Sequence, residues 1–172
     1  MTLPIDEKHL ERFLQTLRVV AKEAMVLEEV RARLLLIGTI TPEWVTSLAT
    51  QTQLADMVES FAAKFGRMQD TIGDKLLPLF LRMVGEKMGA AIDNLNRGER
   101  LDLIPDTIRW MEIRTLRNQL VNEYMEDPAQ FADALNQARG MAEDLLVAYR
   151  NFRRYSAEEL QIDRGMLPDD AE

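Results

Sequence analysis

One spacing constrains the fold more than any other feature of this chain. Between residues 6 and 37, Leu10, Phe13, Leu14, Leu17, Val20, Ala21, Ala24 and Leu27 recur three or four residues apart. Between 51 and 86 the same rhythm runs through Leu54, Met57, Val58, Phe61, Phe65, Met68, Ile72, Leu76 and Leu79. Between 128 and 153 it returns in Phe131, Leu135, Ala138, Met141, Ala142, Leu145, Ala148 and Phe152. An α-helix brings a side chain back to one face about every 3.6 residues, so each stretch builds one apolar stripe. No segment shows the apolar–polar alternation of a half-buried strand.

The breaks between stripes carry their own chemistry. Gly38 follows the first stripe as a C-terminal stop. Thr41-Pro42-Glu43 starts a short helix through Trp44, Val45 and Leu48, with Thr41 as N-cap and Pro42 at the first helical position. Pro78 should kink the second long helix near Asp74, because it lacks an N–H and crowds the preceding turn. Met83, Val84 and Met88 open a less regular segment. Residues 90–95 read as one more helical piece, and Asn96-Arg-Gly98-Glu-Arg100 as a turn or loop. Asp106 caps a further helix, and Asp127-Pro128 starts the last one. The expected fold is all-α: an antiparallel up-and-down four-helix bundle with additional short helices. Residues 1–155 form the expected bundle domain. Residues 156–172 form an acidic C-terminal tail, with a short helix and a frayed end.

Composition removes several functions. Acidic residues outnumber basic ones by 29 to 21, giving a net charge of -8. That balance argues against a general duplex-DNA surface, which needs concentrated Lys and Arg. There are no cysteines, which excludes disulfides, thiolate metal sites and thiol catalysis. The longest apolar run, residues 34–37, is far too short to span a bilayer. Met1 leads directly into Thr-Leu-Pro-Ile-Asp-Glu without a basic or apolar signal region, so a cytoplasmic protein is expected. No phosphate-binding glycine loop, dinucleotide fingerprint or HExxH zinc motif is present. His9 is the single histidine, and it reads as an ordinary helix-end residue. Asp70, Asp74, Glu86, Asp93 and Glu99 lack the ExxH spacing of a di-iron bundle, so no metal or other cofactor is expected. The methionines, Trp44 and Trp110 read as core packing.

The stretch from Trp110 to Tyr124 raises the functional question. Trp110, Ile113, Leu116, Leu120 and Val121 make an apolar face, and Arg117 falls near its centre. A guanidinium there needs a partner or a wet interface. Asp70 and Asp93 are the leading candidate partners, because both sit among apolar helix positions. Arg114, Asn118 and Asn122 form a polar stripe expected to line a cleft. A purely structural ion pair is the competing reading of Arg117.

Arg117-Asn-Gln-Leu-Val-Asn122-Glu-Tyr124 resembles the RNxxxHxY signature of HepT-like proteins of the HEPN superfamily. These are similar to the helical substrate-binding domains of nucleotidyltransferases. Phe65-Gly-Arg-Met-Gln-Asp70-Thr-Ile-Gly-Asp-Lys-Leu resembles the second-helix segment of that group. The stretch from Ala91 to Ile104 resembles its loop before the signature helix, and Tyr124-Met-Glu-Asp-Pro128 its exit. Together the matching words span roughly residues 50–150. The resemblance implies a homodimer paired with an MNT-type nucleotidyltransferase in a toxin–antitoxin system, in which the HepT-like member is commonly the RNase. It implies Arg117 as the catalytic arginine, Asn118 as a supporting polar residue and Tyr124 as an AMP acceptor.

The chain departs from this pattern at Asn122, which stands where the signature has its catalytic histidine. Metal-independent RNA cleavage must move a proton, and an amide does not titrate in the useful range. RNase activity is therefore expected to be absent or strongly reduced. Arg117 and Asn122 also point ~140° apart on an ideal helix, so a site using both needs a bent helix or a dimer. The leading expectation is a HepT-like subunit that binds its nucleotidyltransferase, and with it a nucleotide or RNA. The alternatives are an active endoribonuclease toxin and a structural dimeric helical bundle.

Overall fold

The computed structural model describes residues 5–122 and 126–169, with the side chain of Asn122 excluded. Every regular element among the described residues is helical. Helix α1 spans Glu7–Leu35, α2 Pro42–Ser47, α3 Thr52–Asp70 and α4 Leu77–Met83. Helix α5 spans Ala91–Arg100, α6 Thr107–Asn122 and α7 Pro128–Glu158. Among the described residues, no helix is long and apolar enough to cross a membrane.

The helix starts follow side-chain chemistry. Asp6, Thr41, Asp106 and Asp127 each accept hydrogen bonds from backbone N–H groups of the first turn that follows. These groups have no partner inside the helix, so a short acceptor just before it satisfies them. Gly38 follows the end of α1 with a φ of 79°, the left-handed conformation that glycine adopts without strain.

Four pairs of long helices run antiparallel: α1–α7, α1–α3, α3–α6 and α6–α7. From α1 to α7, Arg31 bonds Glu143 and Leu34 meets Arg139. From α1 to the α3–α4 stretch, Glu23 meets Thr71 and Phe13 meets Phe80. From the α3–α4 stretch to α6, Gly66 lies under Arg117 and Gly73 under Trp110. Helices α6 and α7 are joined by Arg109 and Asp144 at 2.7 Å. The core fills the space between them, and rings at Phe13, Phe80, Phe152 and Tyr155 meet edge to face.

Two expectations about helix continuity need correction. The interruption expected near Asp74 is a π-helical turn over Thr71–Leu76, where the Leu77 N–H bonds the Ile72 carbonyl. Widening the helix just ahead of Pro78 relieves the crowding its ring would cause. The extra residue also shifts the stripe. Leu76 and Leu77 are both buried, Phe80 and Leu81 continue the core, and Leu79 is only half-buried.

The second correction concerns residues 96–100, which belong to α5 rather than to a turn. Gly98 is there for close packing. A Cβ on it would lie 2.8 Å from Ile104 Cγ1 and 3.0 Å from a Leu77 methyl. The chain reverses after α5 instead. Asp102 takes a φ of 59°, and the Leu103 N–H reaches back to the Gly98 carbonyl. This is the C-terminal capping geometry usually given to glycine.

The C-terminal segment also differs from expectation. Helix α7 continues to Glu158 and the described residues after it, to 169, fold back onto the helices; the end of the expected frayed tail, 170–172, lies outside the described residues. Ile162 and Leu167 are buried, Arg153 Nε donates to the Pro168 carbonyl and Arg18 Nη2 to the Met166 carbonyl.

Candidate functional site at the α3–α6 junction

Helix α6 buries Trp110, Ile113, Leu116 and Leu120 against the core. Val121, expected on the same face, is 66% exposed. Without Val121 the buried face narrows, and Arg117 lies at its edge rather than its centre. That edge faces α3.

Gly66 makes the seat for Arg117. A Cβ at that position would lie 3.0 Å from Arg117 Cγ and 3.3 Å from Nε. Glycine therefore lets the arginine stem cross α3 directly. One turn later, Asp70 Oδ2 accepts from Arg117 Nη2 at 2.8 Å. On the other side, Arg117 Nη1 donates to Asn118 Oδ1 at 3.3 Å. The Arg117 and Asp70 side chains remain 38% and 43% exposed. The contact uses one nitrogen, so it is not the bidentate fork a guanidinium can make with a carboxylate.

An ion pair this exposed contributes at most about 1 kcal/mol to stability. The arrangement instead suits recognition. The guanidinium stays part-exposed with one nitrogen on Asp70, while its Nε is buried without a hydrogen-bond partner; a guanidinium fork matches phosphate or carboxylate groups. Arg114 is half-buried and Asn118 exposed, on either side of Arg117 along the helix. The Asn122 side chain and Tyr124 lie outside the described residues.

The remaining candidates lie elsewhere. Asp93 is exposed on α5, above Gly89 and near Arg97, and is not joined to Arg117. Glu99 accepts from the Thr107 hydroxyl at 3.3 Å, tying α5 to the start of α6. His9 Nδ1 lies 3.1 Å from Asp6 at the start of α1. Among the described residues, no group of three His, Asp or Glu side chains could hold a metal ion.

One group near the junction was not anticipated. Glu23 of α1 is buried, with Oε2 3.2 Å from Thr71 Oγ1 and Oε1 without a hydrogen-bond partner. Burial raises its pKa, opposed by the Thr71 hydrogen bond and by Arg67 and Lys75, while Asp70 pushes it further up. Thr71 Oγ1 also lies 2.8 Å from the Arg67 carbonyl. A hydroxyl has one proton. That proton faces two acceptors, Glu23 Oε2 at 3.2 Å and the Arg67 carbonyl at 2.8 Å, so Thr71 serves the carboxyl only in part. Glu23 stands three residues after Val20 and four before Leu27, so its place on the α1 stripe was visible in the spacing. The polar side of the junction is thus Arg117, Asp70 and Asn118 at the surface, with Glu23 and Thr71 behind.

No family model matches the chain, and no curated protein or solved structure matches it either.

Proposed function

We propose that this chain is a HepT-like helical subunit that partners a small MNT-type nucleotidyltransferase. In this reading it forms a cytoplasmic homodimer and binds a nucleotide or RNA without efficient RNA cleavage. The observation that carries the reading is the Arg117–Asp70 contact at 2.8 Å. The two sequence words that most resemble the family, residues 65–76 and 117–124, are far apart in the chain. They meet at this one contact, with Gly66 of the first word making room for Arg117 of the second. The antiparallel pairings of α1, α3, α6 and α7 support the four-helix bundle that the resemblance implies.

The same reading accounts for the exposure of Arg117. A guanidinium serving only the fold would be buried or fully paired, whereas a binding group must stay accessible. With Asn122 in the histidine position, Arg117 lacks a signature neighbour that can move a proton. Its part is then to hold an anionic group, with Asp70 fixing its orientation. Tyr124 is the residue to which the nucleotidyltransferase would attach AMP.

Two measurements test this. Purified protein incubated with total cellular RNA should leave the RNA intact. Cleavage that disappears in Arg117→Ala would establish the active-toxin alternative instead. Intact-mass analysis after co-expression with an adjacent nucleotidyltransferase should show an AMP adduct that is lost in Tyr124→Phe. Failure to detect any adduct would remove the modification role.

A further inference from the structure

The opposite end of the molecule holds a second polar concentration. A cavity of about 290 Å³ at the C-terminal end of α7 is lined by Arg150, Arg153, Arg154 and Arg164, with Glu158 as its one carboxylate. This runs against a chain in which acidic residues outnumber basic ones by 29 to 21. Arg150 pairs with Glu143 at 3.3 Å, while Arg154 donates to the neutral amide of Asn151. Among the described residues, neither Arg154 nor Arg164 forms an ion pair. Arg154 and Arg164 thus bring two exposed cations to the cavity that no carboxylate among the described residues pairs.

A larger cavity of about 590 Å³ adjoins it between α1 and α7, and the two share Tyr149 and Arg150 in their linings. Its walls include the apolar Ala21, Ala24, Met25 and Leu146, with Arg18 and Lys22 against Glu28 and Asp169 among its charged residues. We propose that the paired cavities bind an amphiphilic phosphomonoester, with its phosphate on the arginines and its apolar body between α1 and α7. Guanidinium forks match phosphate oxygens, and a doubly charged head uses several arginines where a carboxylate would neutralise one. The combined space suits a small-molecule site. RNA fits this surface less well, because single-strand binding relies on exposed aromatic faces. Tyr149 is buried in the floor, and Tyr155 packs edge-on against Phe80.

Calorimetric titration of the full chain with octyl phosphate, inorganic phosphate, 1-octanol and a short RNA oligonucleotide tests the proposal. Octyl phosphate should bind at least about tenfold more tightly than either phosphate or octanol. The double variant Arg154→Gln, Arg164→Gln changes two exposed side chains and should weaken octyl phosphate about tenfold or more. Ala21→Leu should weaken octyl phosphate and leave phosphate unchanged. Equal binding of phosphate and octyl phosphate would overturn the proposal. So would indifference to the double variant, or binding of the oligonucleotide alone.

Discussion

Two arginines, one at each helix seam, divide the work of this molecule. Arg139 of α7 is 7% exposed and, among the described residues, has no carboxylate partner; its Nη1 donates to the Leu34 carbonyl and its Nη2 to Asn136 Oδ1. Burial lowers its pKa. The Leu34 carbonyl belongs to the last turn of α1, where backbone acceptors lack helical partners and a cation is favoured by the dipole. Asn136 meanwhile joins both the N–H and the carbonyl of Ile40. This seam locks the α1–α2 connection onto α7. Arg117, by contrast, is half-exposed and donates a single hydrogen bond to its carboxylate. A buried guanidinium that completes backbone hydrogen bonds serves the fold, while an exposed one seated on a glycine is available to something else.

The largest stability loss is therefore expected on the α1–α7 side. Arg139→Ala would remove two charge-assisted hydrogen bonds and a buried stem, while the Leu34 carbonyl keeps the Ile37 N–H and Asn136 keeps Ile40, at a cost of roughly 1.5–3 kcal/mol. Urea denaturation followed by circular dichroism should show a clear drop in midpoint. A midpoint near that of the parent protein would break the contrast between the two arginines. Gly98→Ala should come next, at roughly 1–3 kcal/mol. Its added Cβ meets Ile104 and Leu77, both in the core. No loss would mean that α5 can move away from α4 and that glycine is not needed there.

Glu23 adds a pH-dependent effect between the two seams. Its folded pKa lies above the ordinary value of 4.5. The folded protein thus holds this proton more tightly than the unfolded chain does. Stability from Glu23 is fully present below about pH 4.5 and is lost as pH rises through the raised folded value. Glu23→Gln keeps an acceptor for Thr71 and cannot ionise. It should raise the thermal midpoint at pH 8 relative to the parent and bring the two curves together near pH 4. A variant less stable than the parent at pH 8 would show that the ionised carboxylate is the better-held form.

Much of this could be read from sequence where the chemistry is local. Thr41, Asp106 and Asp127 cap helices because the acceptor and the N–H groups it serves are within three residues of each other. Asp70 stood out as a partner for Arg117 because an acid among apolar helix positions needs a cation. Other features depend on distant neighbours. Gly98 looked like a turn because glycine serves both positive φ and close packing, and only Ile104 and Leu77 in place decide between them. Val121 was placed on the buried face because spacing alone does not show where a helix surface ends. Pro78 announced an interruption, but whether the helix breaks or widens depends on what packs around it. Arg139, four residues after Leu135 and three before Ala142, lies on the α7 stripe just as Glu23 lies on that of α1. Spacing alone does not mark either as buried, because a charged side chain at a stripe position fits a surface residue equally well.

The central claim is that Arg117 stands outside the stability of the fold, and its removal tests that most directly. Urea midpoints of Arg117→Ala and Arg139→Ala should be measured side by side at neutral pH. The account predicts a loss below about 1 kcal/mol for Arg117→Ala, well short of the loss for Arg139→Ala. Equal losses would contradict it and make the Arg117–Asp70 pair a structural tie like the other seam.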